Sequence, residues 1–274
     1  MTDSVLRINI TDDEFAKFSD LIYKLAGINL SDGKKALVVS RLSKRLREYE
    51  TESFSDYYKI VKNDKSGKEI QVLIDLLTTN ETYFFRENKH FDFLKNIAKE
   101  AYKPSVQFRV WSAASSSGEE AYSIAMEMYE TLGKGNWEVY GTDINQTVIN
   151  SALDGVYSLE RCRYIPKEYL EKYCLKGVRS HAGSVMVKKI LKQRVLFERK
   201  NLLEDLPNVG FFDAIFLRNI MIYFDMDTKI KLVDRLTDRL KLGGYFFVGH
   251  SESLGSISKR LTLIQPSIYQ LQRK

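Results

Sequence analysis

The segment FDAIFLRNIMIYF, residues 212–224, constrains the fold more than any other stretch: an apolar run over 212–217 stops at Arg218-Asn219 and then resumes. A strand buried on both faces of a parallel sheet carries this pattern, because helices cover each face and hydrophobicity becomes continuous instead of alternating. In open α/β sheets, ligands occupy the crevice beyond the carboxyl ends of the strands. Arg218 and Asn219 therefore fall where a small molecule would be held. The competing reading is a strand-ending arginine whose head reaches water along its aliphatic stem.

The rest of the chain sorts into two grammars. Up to about residue 90 the apolar spacing predicts helices over 14–26, 33–49, 54–61 and 69–77, punctuated by Ser31-Asp32-Gly33. From Val106 strands and helices alternate: a strand over 107–111, a helix opening near Gly118, a strand over 137–141, a helix over 146–153, a strand over 212–217 and a helix over 227–240. A strand over 245–248 and a pair over 260–264 and 267–271 follow, the pair divided by Gln265-Pro266. The expectation is an α/β chain with a doubly wound parallel sheet, an antiparallel hairpin at its edge and a helical domain in front. The expected domains are 1–90 and 91–274, with the boundary near 88–104. Residues 176–199 break the alternation; runs over 184–187 and 194–197 resemble short antiparallel strands of a small insertion.

Composition narrows the chemistry. Two cysteines, Cys162 and Cys174, are too few for a disulfide framework, and His90, His181 and His250 lack metal-ligand spacing, so a reducing cytoplasm and no metal are expected. Residues 1–5 lack a basic start followed by an apolar core, and the apolar runs are interrupted by Asp213, Arg218 and Asp225; neither secretion nor membrane insertion is expected. The formal net charge of +6 implies an acidic partner without naming it. Over 34–47 an apolar stripe of Val38, Leu42 and Leu46 runs beside Arg41, Lys44 and Arg45, so one helix face is basic. A merely solvated face would look the same.

Three further segments have polar groups placed for chemistry. Ser112 to Glu120, SAASSSGEE, follows a strand and opens a helix, and its small side chains let a ligand approach the backbone at a helix N-terminus. With one glycine it is not the dinucleotide fingerprint. Ser117 and Glu120 also have capping-box spacing, in which Glu120 would fold back on the helix start. Asp143 ends the next strand, where a carboxylate would accept ribose hydroxyls or cap the following helix. Residues 78–87, TTNETYFFRE, are denser in polar and aromatic groups than a linker requires, and they precede the expected domain junction, a common place for a pocket.

Taken together, TTNETYFFRE (78–87), VWSAASSSGEEAYSIAM (110–126), TDINQTVINSALDGVYS (142–158), FDAIFLRNIMIYF (212–224) and GYFFVGHSES (244–253) resemble the CheR-type chemotaxis receptor methyltransferases. The resemblance implies transfer of a methyl group from S-adenosylmethionine to glutamate side chains of chemotaxis receptors, leaving S-adenosylhomocysteine. It implies an adenosylmethionine-dependent methyltransferase domain with a small antiparallel β insertion behind a receptor-facing helical domain. By the same resemblance Asn80, Thr82, Arg86, Glu120, Asp143, Asn201, Leu202, Arg218 and Asn219 would contact the donor. Arg86 and Tyr223 would serve the transfer centre, and Arg41, Lys44, Arg45 and Arg47 would meet the receptor. The implied partners are methyl-accepting receptors and not nucleic acid. Ala121 stands where proline is usual. Met186 occupies the place of an arginine found in members that grip a receptor's C-terminal peptide through glycines like Gly177 and Gly183.

Two rival readings keep the same sheet. A nicotinamide-dependent oxidoreductase could use Asp143, but the loop lacks the glycines that admit a pyrophosphate. A non-catalytic adaptor could keep the fold and use only the basic helix.

Overall fold

The computed structural model describes residues 9–206 and 209–272. Two compact units emerge: one runs to Thr79 and includes Tyr223–Asp225, and the other comprises Asn80–Ile222 and the chain from Met226 onward.

The first unit is helical, with α1 (Asp12–Ala26), a 3-10 turn (Asp32–Lys34), α2 (Lys35–Glu48), α3 (Phe54–Asn63) and α4 (Lys68–Leu77). Helix α1 starts at a capping box, in which the Thr11 hydroxyl accepts from the Glu14 N–H at 3.2 Å and the Glu14 carboxylate accepts from the Thr11 N–H at 2.9 Å. It stops at Gly27, whose φ of 69° is cheap only for glycine. Phe18, Ile22, Val38, Leu42, Leu46, Tyr57 and Leu73 are buried among these helices.

The second unit starts with an irregular segment and α5 (Lys89–Ala101). It continues through β1 (Phe108–Ala113), α6 (Glu119–Leu132), β2 (Trp137–Asp143), α7 (Gln146–Asp154), β3 (Val156–Ser158), α8 (Lys167–Tyr173), β4 (Cys174–Lys176), β5 (Ser184–Val187), α9 (Lys189–Lys192) and β6 (Val195–Arg199). It closes with β7 (Phe212–Leu217), α10 (Met226–Thr237), β8 (Leu240–Val248), β9 (Leu261–Gln265) and β10 (Ile268–Leu271). Among the described residues the main sheet runs β6-β2-β1-β7-β8-β10-β9, parallel except where β10 pairs antiparallel with β8 and β9. This is the doubly wound sheet with an edge hairpin expected from the sequence. The strand order reverses beside β1, which makes the β1/β7 crevice the natural ligand position.

Where the local pattern misleads, tertiary packing explains it. Residues 88–104 are no junction: Phe91, Leu94, Ile97 and Ala98 form the buried face of α5, and the division between units falls ahead of it at Thr79/Asn80. The run over 194–197 is not part of the antiparallel insertion. It lies in β6, which pairs parallel with β2 because Val195 and Phe197 turn inward, Phe197 lying over Gly141 where a Cβ would come within 2.6 Å of its ring. The separate small sheet is β3-β5-β4, antiparallel throughout. Strand β8 starts at Leu240, five residues ahead of the expected 245, on the strength of its parallel pairing with β7. No helix among the described residues is long and apolar enough to cross a membrane.

Candidate active site

Strands β1, β2, β7 and β8 end on one rim, and the residues just beyond them converge. After β1 the chain adopts left-handed backbone at Ala114 (φ 128°), Ser116 (φ 47°) and Gly118 (φ 94°). Two of these are not glycine, a strain that persists only where the surroundings impose it and that clusters at ligand clamps. The surroundings are visible: Ala114 and Ser115 donate their N–H groups to the Thr142 carbonyl at 3.0 and 2.8 Å, and the Ser116 N–H reaches the Asp143 carboxylate at 2.9 Å. Asp143, buried at the end of β2, also accepts from the Asn145 N–H at 3.0 Å. At Gly118 an added Cβ would meet the Ala152 Cβ at 2.9 Å, so only glycine lets the loop enter α6 here.

Gly118, with no side-chain cap, is the N-cap of α6, so the capping box proposed for Ser117 and Glu120 does not form. Glu120 turns instead toward the rim. It accepts from the Ser112 hydroxyl at 2.7 Å and from Arg218 Nη1 at 3.0 Å. Glu119, fully buried, pairs with Arg161 and accepts from the Ser117 hydroxyl at 2.8 Å.

Arg218 does not snorkel. Its side chain is 1% exposed, and its guanidinium bridges Glu120 and Glu87, the latter accepting from Nη2 at 3.0 Å. Nη2 also donates to the Arg86 carbonyl. Glu87 further accepts from Asn219 Nδ2 at 3.3 Å and from the His250 N–H at 3.2 Å. Burial pushes the Glu120 carboxyl above its ordinary range, with Arg218 opposing. At Glu87 burial likewise acts upward, but Arg218 and the hydrogen bonds outweigh it and hold the group below its usual value. Burial, followed by the Arg218 charge, lowers the His90 imidazole to about 3.

The irregular segment before α5 reaches the same rim. The Ser116 hydroxyl donates to the Asn80 carbonyl at 3.0 Å, the Phe85 N–H donates to the Ser123 hydroxyl at 3.0 Å, and Phe85 and Glu87 adopt left-handed backbone (φ 55° and 57°). Thr82 is half-buried in this segment, and the Arg86 guanidinium donates to the Glu81 carbonyl at 3.2 Å while lying 5.7 Å from the centre of the Tyr83 ring. Asn201 and Leu202 follow β6 beside the end of β2, where the Lys200 N–H donates to the Asp143 carbonyl at 2.9 Å; the Asn201 side chain accepts from the Leu203 N–H at 3.1 Å. Of the residues expected at the donor site, Asn80 and Asp143 are joined through Ser116, and Glu120, Arg218 and Asn219 are joined through Glu87, with Thr82, Arg86, Asn201 and Leu202 on adjoining segments.

Sequence reasoning left out two rim carboxylates. Glu87 is the hub just described. Glu252, 9% exposed, accepts from the N–H groups of Asn219, Gly249 and Met221 at 2.8, 2.7 and 2.8 Å and so fixes the left-handed turn at Asn219 (φ 58°). Both lie inside the motifs TTNETYFFRE and GYFFVGHSES, and that was the available signal.

The rim fits a cationic methyl donor. Glu87, Asp143 and Glu252 place carboxylates at the rim, and the small side chains after β1 leave the backbone open to a ligand.

Tyr223 belongs to the helical unit, where its carbonyl accepts from the Asn29 N–H at 2.9 Å. The basic face of α2 is divided. Arg41 donates to the Leu77 and Thr78 carbonyls at 3.0 and 2.8 Å, capping the C-terminus of α4, and Arg45 grips the buried Glu69 through Nε at 2.9 Å and through Nη2. Lys44 and Arg47 are exposed, with no ion pair among the described residues.

The description "CheR methyltransferase, all-alpha domain" matches residues 13–78, and "CheR methyltransferase, SAM binding domain" matches residues 80–269. The chain is 40% identical to the chemotaxis protein methyltransferase of Escherichia coli (strain K12) over 270 residues, which covers 97% of this chain and 93% of that relative. It is 39% identical to chemotaxis protein methyltransferase 2 of Pseudomonas aeruginosa over 262 residues, covering 94% and 93%. It is also 39% identical to the chemotaxis protein methyltransferase of Borreliella burgdorferi over 276 residues, covering 97% and 96%. With both domain descriptions matched in order and the relatives covered almost end to end, the chain belongs to the CheR family of S-adenosylmethionine-dependent methyltransferases.

Proposed function

We propose that this chain methylates glutamate side chains of chemotaxis receptors in the cytoplasm, forming glutamate methyl esters. The observation that carries the reading is the buried Arg218 held between Glu120 and Glu87 at the strand switch, with Asp143 at the end of β2 on the other side of β1. When bound, S-adenosylmethionine supplies a methyl group on a cationic sulfonium. We assign Asp143 to the ribose hydroxyls, and Asn80, Thr82, Arg86, Glu120, Asn201, Leu202, Arg218 and Asn219 to the remainder of the donor.

A glutamate has an unperturbed pKa of about 4.3, so the nucleophile arrives as an anion and the chain needs no general base. What the residues must do is orient and exclude water, because water stabilises separated opposite charges more than the dispersed charge of the transition state. Arg86 is assigned to align the incoming carboxylate, and Tyr223, on family resemblance, to serve the transfer centre. On α2, Lys44 and Arg47 are the charges free to meet an acidic receptor, whereas Arg41 and Arg45 are bound up in the fold.

The test is methyl transfer from labelled donor to receptor-containing membranes. Label in receptors that mild base releases is expected. Label that resists base, or that goes to another protein, would overturn the glutamate assignment.

A further inference from the structure

We propose that Glu87, His90 and His250 form a binding site for one divalent first-row transition ion, with zinc as the representative. The three side chains offer a carboxylate oxygen and two ring nitrogens, all within 4.8 Å of one another. Two imidazoles and one carboxylate are a donor set that suits zinc, cobalt or iron and disfavours the hard cations magnesium and calcium.

The protonation pattern around His90 points the same way. His90 Nε2 lies 2.7 Å from the Ser267 hydroxyl oxygen, and that hydroxyl is itself 2.6 Å from the Pro266 carbonyl. A carbonyl only accepts, and with the Ser267 proton turned to it Ser267 accepts from His90 Nε2; this is the arrangement we take. In that tautomer the proton sits on Nε2 and Nδ1 offers its lone pair to an ion. Nδ1 is buried without a hydrogen-bond partner, on a residue 1% exposed. It faces Glu87 Oε2 at 3.6 Å. The Glu87 oxygen already accepts from Arg218 Nη2, and a cation between Nδ1 and that oxygen would satisfy the lone pair on the ring as well. His250 Nε2 approaches the same oxygen at 4.0 Å.

The support around the site is in place. A ligating histidine usually donates its other N–H to an oxygen that fixes the ring, and Ser267 does this for His90. Arg218, Asn219 and the His250 N–H hold Glu87. Zinc–nitrogen and zinc–oxygen bonds of about 2.0–2.2 Å put tetrahedral ligand atoms about 3.3 Å apart, so modest closure is needed. His250, with a side chain 53% exposed, is free to make it and leaves a path from solvent. The positive charge of Arg218 is offset by Glu87 and Glu120.

The experiment uses the full chain without a histidine tag, titrated with Co²⁺ and followed by visible absorption, with Zn²⁺ and Mg²⁺ compared by thermal shift. One equivalent of Co²⁺, displaced by Zn²⁺, is expected, with stabilisation by Zn²⁺ and none by Mg²⁺. His250→Ala, at an exposed position that threatens folding least, should weaken binding at least ~10-fold, the scale seen even for outer-shell losses. His181→Ala should bind as the parent does. Absence of Co²⁺ binding, equal stabilisation by Mg²⁺, unchanged binding in folded His250→Ala, or loss of binding in His181→Ala would each overturn the site. The readout is metal binding, so it stands apart from methyl transfer.

Discussion

Arg218 and Glu120, 98 residues apart in sequence, meet at 3.0 Å with the arginine side chain 1% exposed. A charge so enclosed is tolerable only because Glu120 and Glu87 flank it. Removing one partner leaves the others uncompensated, which typically costs ~3–5 kcal/mol. Arg218→Ala should therefore lower the unfolding free energy by about that amount and abolish methyl transfer. Chemical denaturation checks the first effect and the labelled-donor assay the second.

Asp143→Asn should keep the fold and lose donor affinity. An amide of the same shape can still accept from the Ser116 or Asn145 N–H, so the loop persists, but it lacks the charge that would favour ribose hydroxyls. Isothermal titration with S-adenosylmethionine should read a weakening of ~10-fold or more, corresponding to about 1.4 kcal/mol. Unchanged affinity in a folded variant would remove Asp143 from the donor site.

The basic face of α2 should split into two classes of variant. Lys44→Ala with Arg47→Ala touches only exposed charges, so stability should hold while receptor methylation slows, most clearly at low salt. Charges are screened beyond about 8 Å at 0.15 M ionic strength. Arg45→Ala instead strips the buried Glu69 of its guanidinium and should destabilise the helical unit by about 3 kcal/mol. Equal methylation rates at low salt for the Lys44/Arg47 double variant and the parent would return that face to plain solvation.

Glu69 sets an acid limit on the helical unit. Burial acts to raise its pKa, but Arg45, Tyr57 and Tyr49 outweigh it, leaving the folded value below the ordinary 4.5. A depressed carboxylate contributes stability that is complete above the unfolded value and is lost as pH falls through the folded one. Unfolding free energy should hold from neutrality to about pH 5 and decline below 4.5. Glu69→Gln should flatten that decline while lowering stability at pH 7. Denaturant midpoints measured between pH 7 and pH 3 provide the check.

Much of this protein was legible before any coordinates. The apolar run ending at Arg218 announced a buried parallel strand, the small residues after β1 announced a close backbone approach, and Asp143 announced the end of β2, because strand burial and loop chemistry are local properties. Partners are not. Periodicity alone could not tell that Glu120 would turn to Arg218 instead of capping its own helix, that Arg41 and Arg45 would be bound up in the fold while Lys44 and Arg47 stayed free, or that β6 would join the main sheet. Nor could it bring His90 and His250 together beside Glu87. Those outcomes depend on contacts between segments far apart in the chain, where burial decides which charge finds which, and only the folded structure makes that choice.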